Sequence, residues 1–240
     1  MDKRLKKMTA IFFLAAAADL FLAAVLLASL ARQRAEGAAA PGTGRVVEDG
    51  GWDGLGTEEA GAVALTFDDG PNARYTEALL DGLKEREVRA SFFLVGQCIE
   101  GNEDTVRRMA EEGHLIGVHC MEHRDLTRES EEEAVRQLAA MIGAVTGRMP
   151  EYIRPPFGKW SSGLQEAVPM ETVLWSVDSL DWKLQDTDRI VQRVLKDTED
   201  GDIILMHDEF QTSVEAAMEI IDNLLAKGYT FVTVDELTID

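Results

Sequence analysis

The chain has 240 residues, 45% of them hydrophobic, enough for one domain with a substantial core and too few for two large ones. Its 44 Asp and Glu against 24 Lys and Arg give a net charge of -20, which repels phosphate backbones and excludes nucleic acid as the main partner. Cys98 and Cys120 are the only cysteines, so no disulfide framework staples the fold. Both thiols are expected to be buried, with a single bridge between them left open.

The N-terminus carries Lys3, Arg4, Lys6 and Lys7 ahead of an apolar run from Ile11 to Leu30, about the 20 residues a helix needs to cross a bilayer. Residues 1–31 therefore read as a cytoplasmic basic stub and a transmembrane helix, with the rest of the chain outside by the positive-inside rule. Asp19 interrupts the run at a cost that the surrounding Leu, Phe and Ala offset. The competing reading is a cleaved signal peptide, with small residues at Ser29 to Ala31 or Ala38 to Ala40 as the cut. Both readings export the domain, either on a single-pass anchor in the cell membrane or secreted. Residues 32–61, rich in Gly, Ala and acids without periodicity, read as a flexible linker. Residues 62–240 read as the folded domain. With no signal for an oligomer, a monomer is the default.

From Ala62 onward, short apolar runs alternate with amphipathic stretches, the pattern of a largely parallel α/β sheet. Strands are predicted at Val63–Phe67, Ala90–Val95, Leu115–Val118, Thr172–Trp175, Asp202–Met206 and Thr230–Val232. Helices are predicted at Thr76–Glu87, Glu103–Glu112, Glu129–Thr146, Asp188–Thr198 and Ser213–Lys227. Six or seven such units in under 180 residues suit a compressed barrel or a doubly wound sheet. In both, function gathers at the C-terminal ends of the strands.

The first strand ends in Thr66-Phe67-Asp68-Asp69-Gly70-Pro71. Adjacent strand residues point to opposite faces, so bringing both carboxylates into one cleft needs a bend, for which Gly70 supplies the freedom. After the third strand, His119 and His123 stand four apart in a chain with only four histidines. On a helical turn this spacing puts both imidazoles on one face, and one Asp added to them gives three ligands with a position left for water, the donor set of a catalytic zinc site. His114 reads as a turn-closing hydrogen bonder.

Arg154-Pro155-Pro156-Phe157-Gly158 is a rigid segment whose guanidinium can hold a carboxylate and whose first free N–H after the prolines, at Phe157, can face an oxyanion. Asp178-Ser179-Leu180-Asp181-Trp182 adds carboxylates and an aromatic face of the kind sugar rings pack against. Leu205-Met206-His207-Asp208 ends another strand with a histidine suited to acid–base work.

Taken in order, Thr-Phe-Asp-Asp-Gly, His-x-x-x-His, Arg-Pro-Pro-Phe-Gly, Asp-Ser-Leu-Asp-Trp and Leu-Met-His resemble the five motifs of the polysaccharide deacetylase family, the NodB-homology domain, over about residues 62 to 240. The resemblance implies a distorted (β/α) barrel with fewer than eight strands and a divalent metal, usually zinc. It makes Asp69, His119 and His123 the metal ligands and Asp68 the catalytic base, oriented by Arg154. Phe157 would lend its N–H to the oxyanion, Leu205 would line the acetyl-methyl pocket, Asp181 would tune His207 as general acid, and Trp182 would wall the groove.

The implied reaction removes N-acetyl groups from an N-acetylated polysaccharide or oligosaccharide, peptidoglycan or chitin-like, and releases acetate. Relatives acting on muramic residues often have Asn where Asp69 stands, which leans towards N-acetylglucosamine. A catalytically silent glycan-binding module and an O-deacetylase of xylan-like esters are the alternatives. Two departures stand out. Cys120 follows His119 where relatives usually carry a small hydroxyl or Asn-like residue, and Phe157 replaces the commoner Tyr. Cys120 is disfavoured as a fourth zinc ligand, because adjacent residues rarely reach one ion.

Overall fold

The computed structural model describes residues 61–126, 131–159 and 161–237. The expected transmembrane or signal helix and nearly all of the linker lie outside them. Among the described residues, no helix is long and apolar enough to cross a membrane.

Every strand pairing is parallel. In chain order the strands are β1 (Gly61–Asp68), β2 (Ser91–Val95), β3 (Leu115–Cys120), β4 (Tyr152–Ile153), β5 (Glu171–Thr172), β6 (Val177–Asp178), β7 (Ile203–His207) and β8 (Tyr229–Val232). Their order across the sheet is β5-β4-β3-β2-β1-β7-β6, with β8 pairing to the first half of β1.

The segment expected as one strand at Thr172–Trp175 is instead divided. Its start, β5, bonds to β4, and four residues later β6 bonds to β7 on the far side of the sheet. The Val173 N–H still reaches Ile153 O (2.9 Å), and the Ser176 N–H reaches Ile203 O (3.0 Å). One extended segment thus crosses the gap between the two ends of a curled sheet. The arrangement is consistent with a distorted (β/α) barrel, although eight ladder segments occur where fewer than eight strands were expected.

Strand alternation sorts the side chains into two layers. Val63, Leu65 and Phe67 of β1, Phe92 and Leu94 of β2, Val118 and Cys120 of β3, and Ile204 and Met206 of β7 join the main core beneath the helices. The intervening positions turn inward, where Ala64 and Phe93 pack with Val173, Val234 and Leu237. Gly117 leaves room there for the ring of Phe93, which a Cβ would meet at 2.6 Å. With both faces covered, β1 and β2 read as mostly apolar runs, broken in β1 by Thr66, as parallel strands do.

The helices are α1 (Thr76–Glu85), α2 (Gly96–Ile99), α3 (Glu103–Glu111), α4 (Glu132–Thr146), α5 (Ser162–Ala167), α6 (Asp181–Leu184), α7 (Thr187–Asp197) and α8 (Gln211–Ala226). The five long ones lie close to their expected positions, except that Glu129 and Ser130 of the helix expected at Glu129–Thr146 fall outside the described residues. In α1, Thr76, Leu79, Leu80 and Leu83 form the buried stripe. Each buried leucine contributes about 1.5–3 kcal/mol. The Asp186 side chain accepts from the Arg189 N–H (3.0 Å) and caps α7.

Candidate active site and metal centre

Each chemically active residue sits where a strand ends. Thr66 and Asp68 lie two apart on β1 and share its inward face. Asp68 is paired in register with His207 of β7, and only 3% of its surface is exposed. The bend expected at Gly70 falls one residue earlier, because Asp69 itself adopts a left-handed backbone with φ 73°. That turn swings the Asp69 carboxylate into the cleft beside Asp68. The absent side chain of Gly70 serves space instead, since a Cβ there would overlap the carboxylate of Asp208.

The histidines are not on a helical turn, as their spacing suggested. His119 is the penultimate residue of β3 and points inward, while His123 lies in the bend after the strand. They converge nonetheless, with ring centroids 5.4 Å apart. Asp69 Oδ1 stands 3.3 Å from His119 Nε2 and 3.5 Å from His123 Nε2. The three ligating atoms lie within 4.8 Å of one another.

Three observations fit this trio to a cation. Among the described residues, Asp69 Oδ1 is buried with no hydrogen-bond partner. His119 Nδ1 contacts the Arg154 carbonyl at 2.5 Å and must donate to it, which leaves Nε2 as a bare lone pair facing the carboxylate. Burial lowers the His119 pKa, so the imidazole itself does not supply the positive charge. Two imidazole nitrogens and one carboxylate oxygen form the donor set of a catalytic zinc site.

Arg154 is fully buried and spends its donors on two tasks. Nη1 donates to Asp68 Oδ1 (2.9 Å) and Thr66 Oγ1 (2.7 Å). Nε and Nη2 donate to the carbonyls of Val173 (3.2 Å) and Leu174 (3.1 Å), the residues that cross the gap between β5 and β6. One guanidinium therefore fixes a carboxylate in the site and satisfies backbone carbonyls that no strand reaches. Its cation also lies 4.3 Å from the centroid of the Phe93 ring.

Asp181 is fully buried and accepts twice from His207, at Nδ1 (2.7 Å) and at the backbone N–H (2.8 Å). The left-handed turn at Leu180 (φ 54°) brings it there. Burial alone would lower the His207 pKa, but the Asp181 carboxylate outweighs it and holds the imidazole up at about 9. His207 Nε2 faces the same cleft, 3.9 Å from Asp69 Oδ2.

Phe157 stands in a tight turn with φ 58°, and its ring, 61% exposed, meets His123 edge-on at 5.0 Å. Trp182 is half exposed on α6, and Leu205 is buried on β7 beside Thr66. Cys120 turns away from His119 into the core, where burial pushes its thiol up to about 12, and it lies outside the Asp69, His119 and His123 cluster. Cys98 is only half buried, contrary to expectation, and both thiols are free. His114 is a hydrogen bonder as expected but does not close a turn: its Nδ1 accepts from the Ala90 N–H (3.1 Å), 24 positions away at the opposite end of the sheet.

Three residues escaped the reading of the sequence: Thr66, Thr76 and Asp208. Thr66 was open to detection, since period-two alternation puts it on the face of Asp68. Asp208 and Thr76 are 132 positions apart, and nothing in the sequence pairs them.

A model of the polysaccharide deacetylase family matches residues 56–170. The peptidoglycan-N-acetylglucosamine deacetylase PgdA of Listeria monocytogenes is 39% identical over 178 residues, 73% of this chain and 38% of that protein. The peptidoglycan-N-acetylmuramic acid deacetylase PdaC of Bacillus subtilis is 41% identical over the same shares. A solved structure of PdaC superposes with a TM-score of 0.72 at 37% identity, covering 76% of this chain and 92% of that one. The chitooligosaccharide deacetylase of a Bradyrhizobium species is 36% identical, over 64% of this chain and 74% of that protein. The chain thus spans under half the length of PgdA and PdaC, and most of the rhizobial enzyme.

Proposed function

The chain belongs to the polysaccharide deacetylase family, and from that membership we propose that it is a metal-dependent hydrolase removing N-acetyl groups from glucosamine residues of peptidoglycan or a chitin-like oligomer. The observation that carries the reading is the orphaned Asp69 Oδ1 between two imidazole nitrogens, next to a carboxylate gripped by Arg154. Asp69, His119 and His123 would hold the ion, most simply zinc. When bound, it supplies a Lewis acid that polarises the amide carbonyl and acidifies water.

The chain's own groups divide the remaining work. Asp68, fixed through Oδ1 by Arg154, takes the proton of the attacking water. The Phe157 N–H faces the developing oxyanion, where loss of one such donor costs about 3–4 kcal/mol. His207, held protonated by Asp181, gives a proton to the departing amine, which leaves poorly as an anion. Leu205 lines the place of the acetyl methyl, and Phe157 and Trp182 offer exposed rings to the sugar. The domain works outside the cytoplasm, carried there by the apolar N-terminal segment as anchor or signal.

The test is acetate release from N-acetylglucosamine oligomers and from peptidoglycan, lost with a chelator and restored by zinc. Release from acetylxylan alone would favour the O-deacetylase. A zinc-loaded chain that releases nothing from any of the three would be a glycan-binding module.

A further inference from the structure

The loop that carries Asp69 is gripped from two sides. From β2, the Val95 N–H donates to the Gly70 carbonyl (3.0 Å). From β7, the support comes from Asp208, whose side chain is fully buried and lies directly under Gly70, so close that a Cβ at that residue would overlap it.

Asp208 is in turn tied to the far end of the loop. The Thr76 hydroxyl, also fully buried, donates to Asp208 Oδ2. The same oxygen of Thr76 accepts from the Asn72 N–H (2.6 Å), and the Asn72 carbonyl accepts from the Thr76 N–H (3.1 Å). Asp69 to Asn72 are thereby clamped between the first turn of α1 and the end of β7. Such support is needed because Asp69 holds a left-handed backbone without being glycine, a conformation that persists only where the surroundings over-determine it.

We infer that Thr76 and Asp208 are positioning residues that hold Asp69 in its ligating orientation. They touch neither the imidazoles nor Asp68, so they act through the loop. Asp208 follows His207 directly, so the end of β7 also joins this clamp to the residue bound by Asp181. The inference rests on Asp69 being a metal ligand.

The experiment measures zinc affinity of the full chain by competition with a chromophoric chelator, alongside thermal melting. Thr76→Val keeps the volume and deletes the hydroxyl. It is expected to weaken zinc binding about 10- to 100-fold, the range typical when a group supporting a metal ligand is lost. Thr76→Ser restores the hydroxyl and is expected to bind within about threefold of the parent. Asp208→Ala, which deletes the acceptor together with a buried carboxylate, is the second variant should Thr76→Val fail to fold, with the same expected loss. Parent-like zinc affinity in either folded variant, whatever its melting temperature, overturns the inference. So does failure of serine to recover what valine loses. A parent chain that binds no zinc, or binds it equally well as His119→Ala, brings down the metal site itself and the clamp with it.

Discussion

At the N-terminal end of the sheet, helices pass into strands through glycines such as Gly147 (φ 76°) and Gly201 (φ 83°), which take left-handed geometry without a Cβ to strain. Glu87, between α1 and β2, is the exception. At the C-terminal end, three left-handed residues that are not glycine, Asp69, Phe157 and Leu180, border the cleft. Each costs on the order of 1–3 kcal/mol, and each aims itself or its neighbour into the cleft. Charge divides the same way. Arg89 and Glu236 pair at the exposed N-terminal end (2.8 Å), whereas Arg154, Asp68 and Asp181 are buried at the other. The strain and the buried charge of this fold are concentrated where its chemistry is proposed to occur.

Two histidines, His114 buried and His207 mostly so, sharpen the contrast. His114, at the N-terminal end, has a backbone N–H on Nδ1 and an Nε2 with no partner among the described residues. Burial outweighs the pull of Glu112 and lowers its pKa to about 4. His207, bound to Asp181, is raised to about 9. Similar burial with different partners thus yields opposite charge states near neutral pH.

The largest expected effect breaks the C-terminal end outright. His119→Ala should abolish zinc binding and acetate release together, by metal titration and turnover assay. Asp68→Asn should keep zinc while turnover falls about 10²- to 10⁴-fold, the usual contribution of a general base. Near-parental turnover would remove Asp68 from that role. His207→Ala should likewise keep zinc and lose turnover.

Next in size is the pH dependence of stability in the metal-free chain. The raised pKa of His207 contributes stability that is fully present below about 6.5 and is lost as pH rises through about 9, on the order of 3 kcal/mol in all. Asp181→Asn should flatten that alkaline limb. For His114 the sign reverses. Its neutral folded form is penalised as pH falls from about 6.5 towards 4, because the unfolded chain takes up the proton first. His114→Asn should flatten the acid limb and leave the alkaline one. Denaturant titrations across pH separate the two.

The smallest effects test strain directly. Gly147→Ala should destabilise by about 1 kcal/mol, since a Cβ there is strained although it meets nothing within 4 Å. Leu180→Gly should gain at most about 1 kcal/mol from relieved strain, yet lower turnover by loosening Asp181. A parallel gain in activity would show that the strain at Leu180 has no bearing on the site.

Much of this was legible in the sequence because it is local. Apolar runs marked β1, β2, β3 and β7, and stripes like Leu79, Leu80 and Leu83 marked the helices. The ordered motifs named all ten candidate site residues. Short elements such as β4 and β6, two residues each, carry too little periodicity to be read.

Only tertiary structure decided how those residues meet. It moved the bend from Gly70 to Asp69, and it put His119 on a strand rather than a helical turn. It also let one arginine serve both Asp68 and the gap in the sheet, and set Asp208 under Gly70 against Thr76. Residue type and local period are properties of neighbours in the chain. Which carboxylate lies under which loop depends on side chains more than a hundred positions apart, and only packing brings those together.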